Sequence, residues 1–225
     1  MMRTKRRAVS DDDYINWKKV KIMLTEAMEL IDTSIEKIRK KLDENNDEEW
    51  TQVDQMIASI TVNKLFSENI GPKVWNYLSR SLCNKYDCVL KERILGKVIP
   101  SLEGKKNDKS LVKEILEEWA LFEIYLNNVQ IMFKPADELG RLPTVSPILP
   151  WSLRARSKHN FCIRVWGKFS CEIDHLLNEM NDSSERLHED SIKFVLFYYE
   201  MGQATTATDI HTNRSLGILK RKMIL

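Results

Sequence analysis

Seven glycines and six prolines are all that this chain of 225 residues contains. Its apolar side chains recur instead at three- and four-residue steps. Sandwiches and barrels need many tight turns, and tight turns need both residue types. A chain so poor in them, and rich in Leu, Ile, Glu and Lys, is directed toward helices. The expected fold class is all-α.

The period predicts where those helices lie. The first covers residues 14–42, with Ile22, Ala27, Leu30, Ile31, Ile35, Ile38 and Leu42 on one stripe. An acidic, Asn-containing break follows at residues 43–49. The second covers residues 48–66, and Val53, Met56, Ile57, Ile60 and Leu65 form its expected core face. Gly71-Pro72 is a stop-and-restart signal. The third covers residues 73–97 and carries Val74, Tyr77, Leu78, Leu82, Tyr86, Val89, Leu90, Ile94 and Leu95, with Pro100 near its end. The fourth covers residues 110–137, with Ser110 placed to cap it. Its stripe of Val112, Ile115, Leu116, Trp119, Phe122, Leu126, Val129 and Phe133 is widened by Leu121, Ile124, Tyr125, Ile131 and Met132. That is broader than the ~100° of an ordinary amphipathic helix. Such a helix either lies between two neighbours or meets a partner.

Residues 134–150 hold most of the prolines and read as a long extended connection. A further helix covers residues 155–180, with Phe161, Val165, Trp166, Phe169, Ile173, Leu176 and Leu177 inside. A short apolar helix over residues 191–202 ends at Gly202, a good C-cap residue. Residues 1–13 read as a disordered polar tail, 14–202 as one helical domain, and 203–225 as a divergent C-terminal tail.

The charges nearly cancel, at +2 overall. That balance argues against nucleic-acid binding by bulk electrostatics. Residues 151–161 mix aromatic and basic side chains, but they read as the basic start of a helix rather than a stacking platform. No run of about 18 apolar residues occurs, so no membrane helix is expected. The N-terminus lacks the apolar core of a secretory signal. The expected compartment is therefore reducing, cytoplasmic or nuclear, with Cys83, Cys88, Cys162 and Cys171 as thiols. Cys83 and Cys88 read as core fillers, and Cys171 as a buried thiol beside a surface His175.

No phosphate-cradling glycine loop and no nucleophile elbow is present. Nor does the sequence offer a nucleophile, a base and an orienter as a set. Cys171 and His175 are too few to hold zinc, and Asp11, Asp12 and Asp13 lack the spaced ligands of a calcium loop. The expectation is a protein that is not an enzyme, with no metal, no cofactor and no small-molecule substrate.

One ordered pattern goes beyond composition. Residues 85–102, "YDCVLKERILGKVIPSL" with its flanking lysine, end in Val98-Ile99-Pro100. A helix follows with Trp119 near its start, then Phe133 and Asp137 at its end. Leu142-Pro143 precedes the next helix, and Tyr198, Glu200 and Gly202 close the last one. In this order, from about residue 27 to 202, the chain resembles the N-terminal repeat of the cullins, and most closely the plant members that work with Skp1-type adaptors. The resemblance implies an elongated helical bundle like the first cullin repeat, without the C-terminal cullin homology domain. It implies a non-catalytic scaffold fragment that binds a Skp1-type or BTB adaptor in an SCF-type ubiquitin ligase context. The partner-binding positions it implies are Trp50, Val53, Asp54 and Ile57 on the second helix and Phe122, Tyr125 and Val129 on the wide helix. Asp54 and Ala58 stand where the family presents large aromatics. The alternative is a degenerate helical structural domain that has lost adaptor binding.

Overall fold

The computed structural model describes residues 11–44, 50–67, 72–105, 110–140, 152–182 and Phe197. These residues form α1 (Asp11–Glu44), α2 (Gln52–Ser67), α3 (Pro72–Arg93), a π-helical turn (Ile94–Val98), α4 (Ile99–Glu103), α5 (Leu111–Gly140) and α6 (Leu153–Asp182). There is no strand among the described residues, so the all-α class holds. The chain divides into two units. Unit 1 comprises Met1–Asn84 and Asn128–Pro150, and unit 2 comprises Lys85–Asn127 and Trp151–Leu225.

In unit 1, α1 buries Val20, Leu24, Ala27, Ile31, Ile35 and Ile38. Their steps of three and four place them on one stripe. The helix begins at Asp11, three residues before the start expected at residue 14. Ile22 is exposed, and Val20 and Leu24 take the core positions around it. From α2 the core receives Ala58, Val62 and Leu65, and Trp50 just before the helix is also buried. Val74, Leu78, Leu82 and Cys83 of α3 and Val129, Met132 and Phe133 of α5 complete it.

The face expected inside on α2 is outside. Val53, Met56, Ile57 and Ile60 are exposed. Apolar residues surround this helix, so the pattern does not select a face. The selection comes from Asp54, whose carboxylate accepts a hydrogen bond from Lys37 Nζ on α1 at 2.7 Å. Ala58, Val62 and Leu65 follow Asp54 at helical steps and therefore share its side.

In unit 2, Pro100 does not stop the helix. A proline has no N–H for the carbonyl four residues back, and its ring would press on that carbonyl. The π turn relieves the clash: the Ile99 N–H donates to the Ile94 carbonyl, five residues back, and Pro100 falls in the first turn of α4. The extra residue also moves the buried row. Ile94 is followed by Val98 and Ile99 in the core, while Leu95, expected inside, is exposed. Tyr77 of α3, in unit 1, was also expected inside and is exposed, with its ring edge-on to Trp17 at 5.6 Å.

α5 runs through Pro135 to Gly140, where an extended connection was expected. Pro135 is buried, so packing around it holds the helix together past the proline. Ser152 caps α6 through its Oγ, which accepts the Ala155 N–H at 3.2 Å. The helix leaves helical geometry at Phe169, where φ is −110° and ψ is 20°. In unit 2, Trp119, Phe122, Phe161, Trp166 and Phe197 form an aromatic cluster; the Trp119 and Phe161 centroids lie 4.8 Å apart, edge to face. Asp87 of α3 holds α6 through a two-pronged pair with Arg156, and Asn160 Nδ2 donates to the same carboxylate at 3.2 Å.

The expected tail up to residue 10, the connection beyond residue 140 and the C-terminal tail lie outside the described residues. Of the helix expected over residues 191–202, Phe197 alone is described, and it is helical.

Candidate interaction surface

The start of α2 is built by two residues that cap each other. Thr51 Oγ1 accepts the Asp54 N–H at 3.3 Å, and Asp54 Oδ2 accepts the Thr51 N–H at 2.9 Å. This is the reciprocal capping box, with aspartate in place of the usual glutamate. The Thr51 hydroxyl donates to the same Oδ2 at 2.6 Å. Lys37, then the Thr51 hydroxyl, then the Thr51 amide hold the Asp54 carboxyl well below the usual carboxylate range. One residue earlier, the Trp50 carbonyl accepts a bond from Lys41 Nζ at 3.3 Å. The Trp50 indole is 1% exposed, and its Nε1 has no hydrogen-bond partner among the described residues.

With α2 held in this rotation, its other side carries Val53, Met56, Ile57 and Ile60, at 60%, 56%, 46% and 47% exposure. Their spacing is i, i+3, i+4, i+7, a single stripe. No charged residue occurs from Gln55 to Asn63, although 30% of the whole chain is charged. An outward helix face normally carries its charges there. A bare apolar stripe in that place can be covered by an apolar groove without removing any ion from water.

The seven positions singled out from the sequence are distributed unevenly. Val53 and Ile57 lie on the stripe. Asp54 lies beside it, turned toward Lys37 and engaged in the helix cap. Trp50 is buried in unit 1, and Val129 is buried in the part of α5 that belongs to it. Phe122 and Tyr125 are buried in unit 2, where Tyr125 lies under the Arg93 guanidinium at 5.0 Å. These four buried side chains offer no surface as the chain is folded. Met56 and Ile60 complete the stripe; read as core from the period, they were missed as surface. The available signal was their position on α2, on the side away from Asp54.

Among the described residues no group of three His, Cys, Asp or Glu is placed to hold a metal ion. The four cysteines are thiols, but only Cys83 and Cys162 are buried. Cys88 and Cys171 are exposed, contrary to their reading as core residues, because each falls on the outer side of its helix. Burial pushes the Cys162 thiol far up, which keeps it protonated and inert. No helix among the described residues is long and apolar enough to cross a membrane. The chain matches no protein-family model, no curated protein and no solved structure.

Proposed function

We propose that the chain is a non-catalytic interaction module that offers the α2 stripe of unit 1 to an apolar groove on another protein. The observation that carries this reading is the exposed set Val53, Met56, Ile57 and Ile60, the last three on a stretch of helix without charge. Its spacing is the anchor spacing of helix-in-groove recognition. The resemblance to the N-terminal cullin repeat supplies the partner class: a Skp1-type or BTB adaptor, in an SCF-type ligase serving ubiquitin-dependent protein catabolism in the cytoplasm or nucleus. Val53 and Ile57, implied at that contact, both belong to the stripe. Within such an assembly the chain acts as a scaffold fragment, and catalysis belongs to other subunits.

A second reading is favoured by a different observation. Trp50, Phe122, Tyr125 and Val129 are buried, and Ala58 has no exposed surface at all. That is the pattern of a helical structural domain that has turned former contact positions inward and lost the adaptor.

Calorimetric titration of the full chain with a purified Skp1-type adaptor–F-box complex, and separately with a BTB adaptor, decides between them. The first reading expects micromolar or tighter binding. Ile57→Asp weakens it by at least about tenfold, because a buried anchor is replaced by an unpaired charge. Its fold stability stays within about 0.5 kcal/mol, because the site is exposed. No heat with either adaptor sinks the first reading and leaves the second. Binding undiminished in Ile57→Asp places the contact elsewhere than the stripe.

A further inference from the structure

The first part of α6 carries charge of one sign. From Leu153 to Cys171 it has five Lys or Arg residues and no Asp or Glu. Its cations must therefore find carboxylates on other helices or go without. Arg154 pairs with Glu123 of α5 at 3.9 Å, Arg156 with Asp87 of α3, and Lys168 with Glu103 of α4. Arg164, half-buried, has no carboxylate partner among the described residues.

The way Arg164 is held shows which part of it remains available. Arg156 spends its Nε and Nη2 on the two oxygens of Asp87, a side-on fork. Asn160, one turn further and 7% exposed, donates its Nδ2 to the same carboxylate at 3.2 Å and to the Arg156 carbonyl at 2.9 Å. With the amide fixed in this way, its Oδ1 accepts from Arg164 Nη1 at 2.6 Å, and the Asn160 carbonyl accepts from the same nitrogen at 3.3 Å. Arg164 is thus anchored through Nη1. Its Nε and Nη2, the fork that Arg156 spends on Asp87, have no acceptor among the described residues.

α3 supplies a second uncompensated cation. α3 and α6 run in the same direction through this contact: Tyr86 meets Ser157, Asp87 meets Arg156 and Asn160, and further along both, Glu103 meets Lys168. Lys91 follows Asp87 by one turn, as Arg164 follows Asn160, so each continues the side that makes the pairing. Lys91 is exposed and has no ion pair among the described residues. The Asp87 carboxylate is already occupied by Arg156 and Asn160.

We propose that the Arg164 fork, together with Lys91, is a binding site for a phosphate monoester carried on a peptide. A planar guanidinium fixed through one nitrogen loses little freedom when its other edge takes two oxygens of one oxyanion. Two uncompensated cations match the nearly two negative charges of a phosphorylated side chain better than the single charge of a carboxylate. A polyanion is disfavoured by the charge of the whole chain, +2. The site lies within unit 2 and does not depend on the α2 stripe.

The test follows the arginine Nε–H signals of the ¹⁵N-labelled full chain. Three probes are titrated: a short glycine-flanked phosphoserine peptide, the same peptide with serine, and inorganic phosphate. The phosphopeptide shifts the Arg164 Nε–H saturably and binds at least about tenfold tighter than the serine peptide. Arg164→Gln weakens it by about tenfold or more, and Lys91→Met by about threefold. An Arg164 Nε–H that the phosphopeptide leaves unmoved, or an affinity unchanged in Arg164→Gln, overturns the proposal. Inorganic phosphate binding as tightly as the phosphopeptide means an adventitious ion only and overturns it too. If Arg164→Gln does not fold, the wild-type Nε–H shift and Lys91→Met decide.

Discussion

Asp54→Ala isolates the device that orients α2. The substitution removes three contacts at once: the carboxylate's bonds to the Thr51 amide and hydroxyl, and its pair with Lys37. Loss of a helix-start cap costs about 1 kcal/mol. The Lys37 pair adds about 0.5–1 kcal/mol and no more, because the Lys37 side chain is 39% exposed and solvent screens it. The expected cost is therefore about 1.5–2 kcal/mol, read as a lower urea midpoint at unchanged slope. A Lys37→Met and Asp54→Asn double-mutant cycle separates the pair from the cap, with an expected coupling of about 0.5–1 kcal/mol. The acid limb gives an independent reading. Because the folded carboxyl sits below its ordinary value, its contribution is complete above about pH 4 and fades as pH falls through the folded value. That fade is absent in Asp54→Asn. A cost under about 0.5 kcal/mol, or zero coupling, would refute the claim that this residue fixes the rotation of α2.

Two further outcomes follow from the same packing. Ala58→Tyr destabilises the chain by about 1–3 kcal/mol, because Ala58 has no exposed surface and the ring must enter the unit 1 core; a thermal melt that shows no loss would mean that α2 is rotated otherwise. Arg156→Lys replaces a two-pronged hold on Asp87 with a single point charge, and the partly buried pair then contributes about 1 kcal/mol less, measured by urea unfolding and lost in an Asp87→Asn background.

Much of this molecule is written in its period. α1 shows why: its apolar side is one narrow row from Val20 to Ile38, and its polar side excludes any other rotation. The assignment of Ile22 failed there only because the row begins at Val20. The wide stripe of α5 was also visible. Its residues up to Leu126 serve the core of unit 2, and Val129, Met132 and Phe133 serve that of unit 1. Leu121 and Ile124, which widen the stripe, are exposed. The π turn was not visible, since an apolar row that skips one residue at Val98 resembles a row that simply ends.

For the candidate surface, the sequence determined that α2 is a helix rich in apolar residues; the period put its start at residue 48, and the Thr51–Asp54 cap is a finding of the structure. The period left open which of those apolar residues are covered. Where every side of a helix is apolar, turning the helix about its axis exchanges one buried row for another at little cost, so local pattern energies do not choose. A long-range contact had to choose. Lys37 on α1 draws the Asp54 side inward, and Ala58, Val62 and Leu65 go with it. Val53, Met56, Ile57 and Ile60 are left facing water, a consequence of tertiary contacts, the Lys37–Asp54 pairing 17 residues apart and the burial of Trp50 among them, that the period of α2 does not contain.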